Sequence, residues 1–398
     1  LSFAYPILMI VMSVAIGLGA GTSSVVARAI GANDPVRAAR LATDSLLLSF
    51  IITGSISFLG IMTIDRLFLT LGAPEEMIPL IRGYMEILYL GVPFVVVGMV
   101  GMSSMRATGD TRLPSLLMII ASIANIAIDP IMIFGFGPIP AMGLKGAAMA
   151  ALISRGAIFL GTIYFMSHRL NMLSYEKPSF SEMKSSWSDI LHVGIPAAAT
   201  NTIIPIATAV ITAMLATYGP EVVAGFGVAS RIESVVLVMF YALSAIIGPF
   251  VGQNLSAKKS KRIFQALKQC SIFCLSVGLF FAAILIIYRD TLPLLFSQSE
   301  SVIEAASLFL LFAPISYGAY GIVMTMNAAF NGMGKPSPAV VISLIRMVII
   351  YIPMAYILEI YFSMSGIFIA YATANIISGI IAYRWAVNSV SGQIEKMD

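Results

Sequence analysis

Residues 114–134 read PSLLMIIASIANIAIDPIMIF, and this stretch decides the fold. It is an apolar run of bilayer-spanning length, about 20 residues, with Asp129 its one charge. A soluble domain could hide such a helix only beneath a polar coat. The remaining sequence has no such coat to give. Of 398 residues, 59% are hydrophobic and 11% charged, where an ordinary soluble domain carries about 25% charged residues. The mean hydropathy is +0.95. The chain is therefore read as an all-α, polytopic membrane protein.

Comparable runs lie at about 1–27, 41–63, 83–105, 144–167, 191–217, 222–250, 264–287, 303–329, 338–358 and 365–387. With 114–134 they predict about eleven transmembrane helices. A polar stretch, 168–190, separates two sets, and 388–398 forms a tail. Of the 23 lysines and arginines, sixteen fall on one side, including Lys258, Lys259, Lys261 and Arg262. Four fall on the other, and Arg155, Arg231 and Arg346 lie within spans. The positive-inside rule puts the sixteen, and the C-terminus, in the cytoplasm. The expected location is the cell (inner) membrane, multi-pass.

The two sets echo each other. VARAIGAND is followed by MRATGDTRLPSLL and GLKGAAMAA; FVGQNLSAKK is followed by AFNGMGKPSPAVV and GIFIAYATA. The echo pairs Gly31 with Gly252, Asn33 with Asn254, Gly109 with Gly334, Pro114 with Pro338 and Gly143 with Gly366. The matched segments run the same way, so the repeat is parallel. It predicts an N-lobe over 1–167, an interlobe linker over 168–190 and a C-lobe over 191–387. The C-lobe has six helices and the N-lobe five, so the repeat predicts two six-helix lobes with one helix before Leu1. GLGAGTSS, residues 17–24, is read as a close helix-packing surface.

These motifs, with NIAIDPIMIFG and GIPAA, resemble the multidrug and toxic compound extrusion (MATE) family over essentially the whole chain. The resemblance implies two lobes in a V and secondary active antiport. Organic, often cationic, compounds would leave in exchange for Na⁺ or H⁺, by alternating access between the lobes. Within the family the chain is most similar to the DinF-like branch, lacking that fold's first helix. That branch places its cation site on an Asp of helix one, which falls before Leu1, and on an Asn and Asp four apart on helix five. Asn125 and Asp129 match the pair. The family's hydroxyl on the next helix is not matched, because Ala147, Ala148, Ala150 and Ala151 stand there, with Ser154 further along.

The physics of Asp129 agrees with such a role. A carboxylate at the centre of a membrane helix costs about 2.5–3.5 kcal/mol to insert, so it needs a cavity, a partner or a proton. Residues four apart share a helix face, so the Asn125 amide oxygen and the Asp129 carboxylate are expected to converge on one ion. Pro130 lacks an N–H, which frees the Ile126 carbonyl. Oxygen ligands suit Na⁺, whereas desolvation would favour a proton. The alternative is an Asp129 paired with a buried arginine such as Arg155.

Glu233 is a second intramembrane acid, expected to attract substrate or relay protons, or else to pair with Arg346 or Arg155. Arg231, Asn201 and Met239 are further candidates for the substrate path. Met239, Met324 and Met326 are expected to line a cleft, while Asp44 and Glu86 are expected at the membrane interface. Cys270 and Cys274 are read as buried apolar side chains. Two histidines are too few for a metal centre, and no nucleotide-binding GxxxxGKS motif is present for direct ATP drive. An enzyme is not expected, nor a resident cofactor; Na⁺ or H⁺ would be the coupling ion. Expected partners are the bilayer and a small organic substrate, without nucleic acid, in a monomer. A flippase for lipid-linked saccharides on a related two-lobe fold is the alternative function.

Overall fold

The computed structural model holds, among its described residues, eleven helices long and apolar enough to cross a bilayer, in the predicted order. It describes residues 5–70, 72, 74–138, 140–177 and 179–394. The start of the first expected span and the end of the tail, with Lys396, lie outside the described residues. No β-strand occurs among the described residues. The chain divides into two units, 1–198 and 199–398.

The first unit contains α1 (Tyr5–Gly31), α2 (Pro35–Thr70), α3 (Ile78–Ala107), α4 (Arg112–Phe134), α5 (Gly143–His168) and the start of α6 (Phe180–Ala216). The second continues α6 and adds α7 (Pro220–Ser256), α8 (Ser260–Ile287), α9 (Glu300–Phe312), α10 (Tyr317–Gly332), α11 (Ser337–Leu344), α12 (Ile352–Phe362) and α13 (Met364–Ile394). The expected linker is thus shorter: α6 begins at Phe180, inside 168–190, and α13 runs through most of the expected tail.

Each unit has a buried centre and a greasy rim. In the first, α3 packs against α1, α2 and α5 and carries Met85, Tyr89, Val96, Val100 and Met105 in the core. Helix α4 is its opposite: Met118, Ile119, Ile120, Ile123 and Ile126 are all more than half exposed. Apolar surface on that scale is expected to face lipid. In the second unit, α9 and α10 hold the centre with Phe309, Tyr317, Met326 and Phe330. Met326 is fully buried and lines no surface, whereas Met239 is 44% exposed.

The repeated motifs are helix-boundary chemistry. In GAND, Asn33 takes the left-handed conformation (φ 60°), and the Asp34 carboxylate accepts the Arg37 N–H at 2.9 Å. In TGDTR, Gly109 has φ 92°, and Asp110 accepts the N–H groups of Arg112 and Leu113 at 2.9 and 3.1 Å. Gly334, its partner in the echo, has φ 71°. Elsewhere the register differs from the sequence echo. The residue with Asn33's conformation in the second unit is Lys258 (φ 56°), one helical turn beyond Asn254. Asn254 is instead inside α7, its amide donating to the Phe250 carbonyl at 2.8 Å. Likewise Gly366 corresponds to Gly146, not Gly143. A Cβ on either would stand 2.2 Å from a carbonyl oxygen of the preceding helix, that of Leu358 or Met132. Identical letters had slid onto each other; backbone geometry fixes the true pairing.

GLGAGTSS packs as expected. A Cβ on Gly17 would be 2.5 Å from the Gly194 oxygen, and one on Gly21 would be 2.3 Å from the Ile190 oxygen. Two glycines four apart on α1 therefore meet two residues four apart on α6, backbone against backbone. Cys270 and Cys274 are free thiols on α8, the latter fully buried.

Asp44, expected at the membrane interface, is fully buried within the protein. Arg40 holds it bidentately, at 3.2 and 2.5 Å. The same guanidinium donates to the Glu176 carbonyl at 2.8 Å, and Trp187 Nε1 donates to the Asp44 carbonyl at 3.1 Å. Arg40 thus ties α2 to the segment after α5, and the Asp44 backbone ties it to α6. Removing one member of a buried pair strands the other, at about 3–5 kcal/mol. Asp44→Ala is expected to lower the melting temperature in detergent by many degrees, and Asp44→Asn by less. Glu86, by contrast, is half-buried and pairs with Arg82 at 3.3 Å.

Candidate functional site

In the first unit the site residues sit on α4 and α5, which pack together. Asn125 Nδ2 donates to Asp129 Oδ1 at 3.4 Å, and both residues are half-buried. The two side chains therefore meet, one turn apart, as their spacing requires. The amide is turned the other way from the expectation: it offers nitrogen, not oxygen, to the carboxylate. An ionised carboxylate only accepts, so N–H to O is the pairing the two side chains reach by themselves. Pro130 continues the helix without an N–H to give to Ile126. Asp129 forms no ion pair with Arg155 within 4 Å among the described residues.

Asn125 also lines a recess of about 170 Å³ between α4 and α5, with Ser122, Ser154 and Arg155. The Ser154 hydroxyl is buried without a hydrogen-bond partner. Arg155 has neither a hydrogen bond nor an ion pair among the described residues.

The second unit holds a denser polar cluster. Glu233 on α7 accepts a hydrogen bond from the Tyr371 hydroxyl on α13 at 2.8 Å. Arg346, 2% exposed, lies 4.2 Å over the Tyr320 ring and donates to Asn375 Oδ1 at 3.0 Å. Asn375 Nδ2 passes the chain on to Ser316 at 3.0 Å. Rings of Phe309 and Tyr351 flank Tyr371 at 5.9 and 5.4 Å. Glu233 and Arg346 act on each other electrostatically without an ion pair within 4 Å among the described residues. Arg155, the other partner considered for Glu233, lies in the first unit.

The backbone explains why Arg346 reaches this cluster. Residues Ile345–Tyr351 form a π-helical turn just before Pro353. Proline cannot donate to the preceding turn, and such π turns recur at functional sites. Opposite, Ala313–Ser316 forms a 3₁₀ turn containing Pro314 and delivers Ser316. Arg231, two residues from Glu233, is exposed, and Asn201 is half-buried on α6.

Two bundles with acids, and arginines, placed inside their spans are a transporter's architecture. A family model described as MatE matches residues 1–131 and 196–357. The chain belongs to the MATE family. MATE proteins are transporters, not enzymes, and this chain is accordingly a multi-pass membrane transporter. It is 38% identical to an FAD transporter of Shewanella oneidensis over 97% of this chain and 85% of that protein. A probable multidrug resistance protein of Bacillus subtilis, YoeA, is 24% identical over 96% of this chain and 83% of its own length. The Vibrio cholerae MATE transporter VcmN in its bent form superposes with a TM-score of 0.92 at 29% identity, covering 98% of this chain and 89% of that one.

Against the MATE background, sequence reasoning found both acids but missed most of what surrounds Glu233. Tyr371, Tyr320 and Asn375 stand on helices more than eighty residues away. The usable signal was Arg346, a charge inside a span, which required a partner somewhere in the bundle.

Proposed function

We propose that this MATE chain is a secondary active antiporter. It exports small organic compounds in exchange for H⁺ or Na⁺ by alternating access, from an inner membrane with its C-terminus cytoplasmic. Asp129 is the coupling carboxylate. The observation that carries this is its setting: an acid within a span whose protein partner is the neutral Asn125 and not an arginine. Such an acid is free to exchange a proton or a hard cation, whereas an ion-paired one would be held ionised. Turning over the Asn125 amide would bring its oxygen beside the carboxylate as a second ligand. A coupling ion drives transport only if it prefers one of the two states. Efflux of a fluorescent organic cation with only a Na⁺ gradient, then only a H⁺ gradient, names the ion. Efflux that follows neither gradient contradicts coupling.

Glu233 is a second carrier of charge in this reading. Its carboxylate is held by a tyrosine hydroxyl, with Arg346 near but unpaired to it. Glu233→Gln is expected to slow efflux several-fold at unchanged protein level. Efflux at the wild-type rate would remove Glu233 from the transport path.

For the substrate, a flavin nucleotide is favoured over an organic cation by one finding, the 38% identity to the Shewanella FAD transporter. Efflux of FAD and of ethidium, measured side by side in the same cells, separates the two.

A further inference from the structure

Arg155 is the thirteenth of the 26 residues of α5. At about 1.5 Å per residue it lies roughly 18 Å from either helix end, near the bilayer centre. A guanidinium there is costly to insert, yet no carboxylate of the protein neutralises it within 4 Å among the described residues. What it faces is the recess between α4 and α5.

The recess is a set of donors in search of an acceptor. Arg155 offers up to five N–H groups. The Ser154 hydroxyl, on a residue only 5% exposed, has no partner. Asn125 spends one amide hydrogen on Asp129 and keeps the other. Ser122 adds a further hydroxyl at the rim. A buried hydroxyl without a partner, as at Ser154, costs free energy until a ligand supplies one. A volume of about 170 Å³ has room for a phosphate or carboxylate group.

We propose that Arg155, Ser154, Asn125 and Ser122 form an anion subsite in the first unit, which takes the phosphate, or a carboxylate, of an anionic substrate. Arginine suits phosphate because its planar fork matches two of the oxygens. The inference rests on the flavin-nucleotide reading above and supplies it with a place for the charge. The depth of Arg155 favours a solute, because the headgroup of a bilayer lipid lies about 15 Å from the midplane.

The test uses two ligands that differ by a single phosphate, FMN and riboflavin. Binding to the purified wild-type protein in detergent is followed by flavin fluorescence, with no ion gradient. The wild type is expected to hold FMN at least ten-fold more tightly than riboflavin. Arg155→Met is expected to remove that preference while riboflavin binding is unchanged, which also shows that the variant is folded. Arg155→Lys should keep part of the preference, and Ser154→Ala should weaken FMN a few-fold. Displacement of FMN by phosphatidylglycerol, lost in Arg155→Met, would keep the phosphate site and assign it to lipid; no displacement assigns it to the solute. Equal binding of FMN and riboflavin by the wild type, or an intact preference in Arg155→Met, overturns the proposal. The comparison involves no ion gradient and so reads the subsite apart from coupling at Asp129. Failure of coupling at Asp129 and failure of the anion subsite therefore give different results.

Discussion

Asp129→Asn is expected to abolish gradient-driven efflux, with at least a ten-fold loss of rate at unchanged protein level. The substitution is nearly isosteric and keeps a hydrogen-bonding partner for Asn125, so the fold has no reason to fail. It removes the group that can take up a proton or bind a hard cation. Downhill exchange of substrate across the membrane should survive better than uphill transport, because the path for the substrate is intact and only its link to the ion is gone. The two rates, measured in proteoliposomes with and without an imposed gradient, give the comparison. Coupled efflux at the wild-type rate in Asp129→Asn would move the coupling site elsewhere.

Gly21→Val is expected to prevent accumulation of folded protein. At this position a Cβ would stand 2.3 Å from the Ile190 carbonyl oxygen and 3.1 Å from the Gly194 nitrogen. Overpacking a core typically costs about 1–3 kcal/mol. The obstacle here is backbone on both sides, which cannot rotate out of the way as a side chain can, so the cost should sit at or above that range. Gly54→Val is the control: a Cβ there meets nothing within 4 Å. Fluorescence-detected size-exclusion chromatography of the two variants would show a collapsed peak for the first and a wild-type peak for the second.

These expectations show where the sequence was readable. The spans were legible because hydrocarbon imposes one rule on every residue of a helix, and α4 obeys it along its outer face. The pairing of Asn125 with Asp129 was legible because both partners lie on one helix, where a spacing of four fixes the contact. The packing of Gly17 and Gly21 followed from the absence of side chains. The burial of Asp44 was not legible, because its position near a helix end carries no information about the segment after α5 and the start of α6, which close over it. The register of the repeat slipped by a turn at Asn254 and by three residues at Gly143. Single matching letters recur within one helical turn, and only the positive φ of Lys258 and the close approach of Gly146 distinguish the true counterparts. The Glu233 cluster was the least legible feature. It depends on a π turn that rotates Arg346 against its helical register, and hydropathy is blind to that geometry.

The central claim is that substrate and cation move in opposite directions through one coupled cycle. It is tested most directly by counterflow in sealed proteoliposomes containing the protein. An outward gradient of transported substrate is imposed with no ion gradient, and internal pH and Na⁺ are followed by trapped indicators. The account predicts that one of the two cations enters as the substrate leaves, that its entry stops when the substrate gradient is spent, and that Asp129→Asn shows substrate movement without it. Substrate leaving the wild-type vesicles with no inward movement of either cation would contradict the account.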